Sequence, residues 1–174
     1  MFSHRVDTHS ELRMLEERHA ELLFALVKQN RERHPEIPQL HSLQDARIYI
    51  KRDLALFAEN KGLGLGIWYQ GNLAGAVRYH EIDWTNRSTE LGYWLGAAFE
   101  GKGLITTACR MMIDRAFNEL GLNRVVISCA PENHRSRAIA GKLGFTREGI
   151  LRQSDWLKDG FADQVVYGIL ASEW

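Results

Sequence analysis

Apolar residues recur along this chain in two periods. From about Glu17 the positions Leu22, Leu23, Leu26 and Val27 fall on one helical stripe, and Leu12, Met14 and Leu15 before it form a short extended run. A second helix is predicted from Ser42 to Asn60, opened by a Ser42/Asp45 capping box and weighted by Ile48, Leu54, Leu56 and Phe57. Between the two lies Arg31 to His41, which holds two of the three prolines and reads as a loop. The period then shortens to two. "GLGLGIWYQGNLAGAVRYHEID" gives two strands turning at Gln70-Gly71-Asn72. "STELGYWL", Ser88 to Leu95, sets Thr89, Leu91, Tyr93 and Leu95 on one face and Glu90, Gly92 and Trp94 on the other. Helical spacing returns in Ile105, Cys109, Met112, Ala116 and Leu120, with Gly121 as the stop. "NRVVISCA" is apolar on both faces, the mark of a central strand. Asn133 is placed to cap a short helix that ends near Gly144. Two strands close the chain, Thr146 to Trp156 and Phe161 to Leu170, turning at Lys158-Asp159-Gly160. The order predicts a mixed α/β (α+β) protein: one mostly antiparallel sheet of about seven strands, flanked by about four helices.

With 174 residues the chain is expected to form one domain, residues 1–174, with room for a sizeable core. Lys and Arg total 22 and Asp and Glu total 22, so the formal charge is zero, which speaks against a nucleic-acid surface as the main function. No apolar run reaches the roughly 20 residues that span a bilayer, and the start lacks a signal-peptide layout. Cys109 and Cys129 are too few for a disulfide scaffold and read as buried free thiols in a reducing cytoplasm. His34, His41 and His80 lack ligand spacing, so no metal site is expected.

The chemistry concentrates in "FEGKGLITTACRMMIDRAF", Phe99 to Phe117. Gly101-Lys102-Gly103 follows a predicted strand and opens a predicted helix, where backbone N–H groups and the helix dipole favour an anion. A Walker loop is excluded because Leu104 and Ile105 follow Gly103, and a dinucleotide fingerprint because Thr106 stands at its third glycine position. The tripeptide by itself is compatible with a phosphate cradle and with a plain tight turn.

"ELGYWLGAAFEGKGLITTACRMMIDRAF" followed by "LNRVVISCAPENHRSRAIAGKLGFTREGIL" resembles the GCN5-related N-acetyltransferase (GNAT) superfamily, and within it the RimJ/RimL-like branch of ribosomal-protein acetyltransferases. The resemblance implies an acetyl-CoA-dependent enzyme whose sheet splays between its fourth and fifth strands, here the segments starting at Ser88 and Asn123. The family loop [QR]-x-x-G-x-[GA], which holds the cofactor pyrophosphate, falls on Glu100 to Ile105. Glu100 and Ile105 depart from it, and Glu100 is expected to turn its side chain away. The implied cofactor-binding residues are Tyr93, Trp94 and Leu95 along the strand edge, then Gly101, Lys102, Gly103, Leu104, Ile105 and Thr106, and finally Asn133. Asn133 serves equally as an ordinary helix cap.

The family's acid tyrosine would fall on Ala140, so Ser136, which matches a serine of the RimL-like branch, is the implied proton donor; a solvated helix serine is the alternative. For the base the candidates are Asp155 and then Glu90, with Cys129 read first as a buried strand thiol. At pH 7 a lysine side chain is neutral about once in 2,500 and an α-amine about once in seven, so an N-terminal acceptor needs only modest help from a base. The expected reaction is direct attack of a primary amine in a ternary complex, the amine being a protein N-terminus or a small molecule. The acceptor side is expected at the N-terminal helix pair, the Arg31–His41 loop and the last hairpin. An acyl-CoA sensor without turnover is the competing reading. Exposed strand edges and the family's behaviour also allow a homodimer.

Overall fold

The computed structural model describes residues 3–6, 8–33, 36–157 and 160–174. Its strands are β1 (Ser3–Arg5), β2 (Ser10–Arg13), β3 (Leu63–Tyr69), β4 (Asn72–Asp83), β5 (Ser88–Leu95), β6 (Arg124–Cys129), β7 (Thr146–Leu157) and β8 (Gly160–Leu170). Its α-helices are α1 (Ala20–Asn30), α2 (Leu43–Ala58), α3 (Leu104–Asn118) and α4 (His134–Lys142). The strand order is β1-β2-β3-β4-β5-β6-β8-β7, one strand more than periodicity predicts, because the three residues of β1 add an N-terminal edge. The ladders β1–β2, β2–β3, β3–β4, β6–β8 and β7–β8 are antiparallel, whereas β5 and β6 are parallel. That parallel ladder covers Ser88↔Arg124, Thr89↔Val125 and Glu90↔Val126, and β6 then continues beside β8 through Cys129↔Val165.

The chain divides into two compact units, Met1–His80 with Gly92–Cys109 and Glu81–Leu91 with Arg110–Trp174. In the first, α1 buries Ala20, Leu23, Leu26 and Val27, and α2 buries Ala46, Tyr49 and Ile50, with Trp68, Leu73, Ala76 and Trp94 in the same core. Each fully buried Leu, Val or Ile contributes about 1.5–3 kcal/mol. Ser42 caps α2 in the predicted box: its hydroxyl accepts from the Asp45 N–H at 3.1 Å, and the Asp45 carboxylate accepts from the Ser42 N–H at 2.9 Å. Three predicted core positions face solvent instead: Leu22 (51% exposed), Ile48 (56%) and Phe57 (41%). Ile48 lies two residues from both Ala46 and Ile50, about 200° around the helix from each, so the face that carries them cannot also bury it. The same unit holds a nearly buried ion pair, Arg78 Nη2 to Asp53 Oδ1 at 2.6 Å. Burial raises the Asp53 carboxyl above its ordinary range despite Arg78, so removing either partner strands a desolvated charge.

In the second unit β6 lies between β5 and β8, as its apolar run predicts, with Val125, Ile127 and Cys129 buried. Their alternates Arg124, Val126 and Ser128 are only half-buried. Arg124 forks onto Glu148 of β7, one arm at 2.6 Å and the second bonding Oε2, and this holds the Glu148 carboxyl below its ordinary range. The closing hairpin forms as predicted, although Lys158 and Asp159 of its turn lie outside the described residues, as does His34 of the N-terminal loop. Cys109 and Cys129 are buried thiols outside any disulfide, and burial pushes the Cys109 thiol far up, which keeps it protonated. Among the described residues no helix is long and apolar enough to cross a membrane.

Candidate active site

β5 spans the predicted Ser88–Leu95, and its residues Gly92–Leu95, in the first unit, deliver the chain to the glycine loop. Trp94 and Leu95 are buried, so only their backbone can face a ligand, while Tyr93 is half-buried. The exit from β5 is fixed by two bonds. The Gly96 N–H donates to the Ala74 carbonyl at 2.8 Å, and the Ala97 N–H donates to Asn30 Oδ1 at 2.9 Å. Asn30, itself 5% exposed on α1, donates its Nδ2 to the Leu26 carbonyl at 2.8 Å. A single 3₁₀ turn, Ala97–Phe99, leads to Glu100, whose carboxylate accepts from Arg33 Nη2 at 2.9 Å. The acidic departure from the family loop is therefore charge-paired from the segment after α1.

Gly101 and Gly103 both have φ +74°, the left-handed conformation that residues with a Cβ adopt at a cost. The Gly103 carbonyl accepts from the Thr107 N–H at 3.1 Å and the Thr107 hydroxyl at 3.0 Å, which starts α3 directly after the glycine. The first-turn N–H groups at Leu104, Ile105 and Thr106 have no earlier helical carbonyl to bond, and the helix dipole adds positive potential there. Leu104 buries its side chain, so its contribution there is its amide alone; Ile105 and Thr106 are half-buried. Lys102 is exposed, with its ammonium 5.7 Å from the centroid of the Tyr69 ring. A loop with a paired carboxylate, an exposed ammonium and outward backbone donors fits an anion such as a pyrophosphate.

In the second unit Asn133 caps α4, its Oδ1 accepting from the Ser136 N–H at 3.1 Å. Ser136 is 7% exposed, which removes the solvated-serine alternative. Arg137 locks the same turn by donating to the Tyr167 hydroxyl at 3.2 Å and to the Pro131 carbonyl at 3.0 Å. Ala140, where the family resemblance would place a tyrosine, is fully buried. Glu90 is half-buried and opposite Val126 in the parallel ladder. Asp155 stands on β7 just past an irregularity, where the register jumps from Leu151↔Gln164 to Asp155↔Ala162. Gln153 there has φ +51° and donates its N–H to Asp163 Oδ1 at 2.8 Å. Asp155 is exposed, and its Oδ2 accepts from Gln164 Nε2 at 3.0 Å. Asn133 and Ser136 are thus directly bonded, whereas Glu90 and Asp155 occupy separate settings.

Residues 10–146 match the family described as the acetyltransferase (GNAT) domain. The chain belongs to the GNAT acetyltransferase family. It is similar to YdaF of Bacillus subtilis strain 168, at 39% identity over 181 residues that cover all of this chain and 98% of YdaF. It is also similar to the ribosomal-protein-serine acetyltransferase of Escherichia coli K12, 28% identical over 167 residues and covering 94% of this chain and 93% of that protein. Among solved structures it is similar to RimL, a ribosomal L7/L12 α-N-protein acetyltransferase in complex with coenzyme A. The TM-score is 0.92 at 25% identity, covering 97% of this chain and 98% of RimL. This GNAT enzyme is an acyltransferase with acetyl-CoA as its acetyl donor, and its RimL-like character, read from "ELGYWLGAAFEGKGLITTACRMMIDRAF" and "LNRVVISCAPENHRSRAIAGKLGFTREGIL", stands.

Sequence reading missed three residues of this GNAT enzyme that organise the candidate site: Asn30, Arg33 and Gln164. Asn30 and Arg33 each bond a residue 67 positions away, and no local pattern marks such a pairing. Gln164 is readable only once the β7–β8 register is known.

Proposed function

We propose that this acetyltransferase acts in the cytoplasm, as one domain over residues 1–174, on the α-amine of a protein N-terminus, the alternative acceptor being a small primary amine. The observation that carries the reading is the Asn133-capped turn, which holds a buried Ser136 where the RimL-like branch places its proton donor. The acetyltransferase match from residue 10 to residue 146 runs through both compact units, which supports one domain. The curated relatives named for ribosomal proteins support a protein acceptor, and the two buried thiols, neither in a disulfide, support a reducing compartment.

Bound acetyl-CoA supplies an activated acetyl thioester. In the first unit, Gly101, Lys102 and Gly103 with the amides of Leu104, Ile105 and Thr106 hold its pyrophosphate, and the Tyr93–Leu95 backbone binds its pantetheine as an added strand would. In the second unit, Asn133 contacts the cofactor arm and fixes the first turn of α4. Ser136 Oγ donates a proton to the departing sulfur as the C–S bond breaks and regains one from solvent, to which the base that accepts the amine proton returns it. Asp155, oriented by Gln164, takes the proton that the amine nitrogen loses on forming the new C–N bond, with Glu90 as the second candidate for that role.

The test is thiol release from acetyl-CoA over a panel of peptides with free N-termini and small amines. Peptides are expected to turn over, and Ser136→Ala is expected to lower kcat by about 100-fold while leaving the Kd for coenzyme A unchanged. Thermal stabilisation by coenzyme A with no turnover on any acceptor would establish the sensor instead, and a fully active Ser136→Ala enzyme would remove the proton donor.

A further inference from the structure

The loop proposed for the pyrophosphate carries a contradiction in charge. Where the family motif has Gln or Arg, this chain has Glu100, a carboxylate one residue before Gly101. Left alone, it would repel the anion that Gly101, Lys102 and Gly103 are shaped to receive. The structure resolves this within one unit. Arg33, three residues past the end of α1, reaches Glu100 with Nη2 at 2.9 Å from Oε1, and both side chains stay about 30% accessible, at 30% and 29%. An Arg guanidinium offers five N–H donors in a fixed fork, and this pair occupies one carboxylate oxygen through one nitrogen.

We propose that Arg33 is a further cofactor-binding residue, brought to the pyrophosphate loop by Glu100 and supplying the hydrogen-bond donors that Gln or Arg supplies at position 100 of the family motif. Glu100 is then an orienting group for the guanidinium, and the local charge becomes net positive once Lys102 is included. The segment is anchored for this purpose, because Asn30 of the same helix end holds Ala97 three residues before Glu100. The inference rests on the acetyl-CoA reading of the Gly101–Thr106 loop.

The experiment measures Kd by calorimetry for coenzyme A and for dephospho-coenzyme A, with turnover of acetyl-pantetheine as a substrate lacking the pyrophosphate. Arg33→Ala is expected to weaken coenzyme A about tenfold, the scale of one lost charged hydrogen bond, and dephospho-coenzyme A equally. The loss is expected to shrink as salt rises, since the pair is partly exposed. Turnover of acetyl-pantetheine by Arg33→Ala should match the parent. Arg33→Ala/Glu100→Gln should recover most of the affinity, because Gln restores the donor of the family motif at position 100 and removes the carboxylate that Arg33 no longer neutralises, and Arg33→Lys should lose less than about threefold because the charge remains. Four results would overturn the proposal: an Arg33→Ala Kd within twofold of the parent, a loss confined to coenzyme A and absent with dephospho-coenzyme A, an equal loss on acetyl-pantetheine, or no recovery in the double variant. If the parent protein binds neither coenzyme, the loop reading itself falls. If the parent binds and Arg33→Ala binds alike, only the role of Arg33 falls.

Discussion

Replacing Gly103 by alanine separates the strain of the loop from its ligand chemistry. A Cβ at Gly103 would meet no heavy atom within 4 Å, so packing adds nothing and the whole cost comes from φ +74°. A left-handed conformation costs a residue with a Cβ about 1–2 kcal/mol. The free protein can keep the conformation and lose that amount of stability, which lowers the Tm by about 2–8 °C for a chain of this size. Alternatively it can relax, breaking the Thr107 bonds to the Gly103 carbonyl, and then coenzyme A must restore the loop on binding. Full relaxation weakens coenzyme A by a factor of about 5–30, since 1.4 kcal/mol is tenfold. The stability loss and the binding loss should therefore sum to about 1–2 kcal/mol, however they are divided. Gly71, with φ +79° and equally open space in the β3–β4 turn, is the control: Gly71→Ala should show the same cost entirely as stability. Thermal denaturation and calorimetric titration with coenzyme A, on both variants, give the two terms. A Gly103→Ala protein unchanged in both Tm and affinity would refute the strain argument. Weakened coenzyme A binding by Gly71→Ala would refute the assignment of the ligand to the Gly101–Gly103 loop.

Two further outcomes follow from buried polar groups. Asn30→Ala should lower stability by about 2 kcal/mol, because the Ala97 N–H loses a buried acceptor, and should also weaken coenzyme A. Asn30→Asp keeps an acceptor at that place, so its affinity should lie nearer the parent's, and equal affinity losses in the two variants would contradict the positioning role. Burial, reinforced by Arg13, holds the His19 imidazole below its ordinary 6.5; Glu16 opposes the shift and Arg18 adds to it. Its Nδ1 accepts from the Glu16 N–H at 3.0 Å beside the Trp68 ring, which suits the neutral form. The unfolded chain therefore binds the proton more readily. This contribution is complete above 6.5 and is lost as pH falls through the lower folded value. A pH series of Tm should show that decline in the parent and a smaller one in His19→Gln; identical profiles would exclude His19.

Periodicity and turn chemistry made most elements legible. β5 runs from Ser88 to Leu95 as its alternation requires, and the Ser42/Asp45 box opens α2 because a hydroxyl and a carboxylate three residues apart satisfy the two local N–H groups. Asn133 caps α4 for the same local reason, and Gly101 and Gly103 take the left-handed conformation that glycine alone adopts cheaply. These features depend on neighbours in sequence, so residue types and spacing determine them. What faces what was decided only by the tertiary structure. Ile48 and Phe57 look like core yet meet solvent, since the sheet selects one stripe of α2. Ser136 stays open between a proton donor and a solvated helix serine until packing buries it, and Asp155 acquires Gln164 only through the register of the last hairpin. Glu100 looks unfit for an anion loop until the fold brings Arg33 across 67 residues to pair with it. Such contacts form because chain collapse places distant groups together, and hydrophobic burial, which drives that collapse, carries no local signature of the polar pairs it assembles.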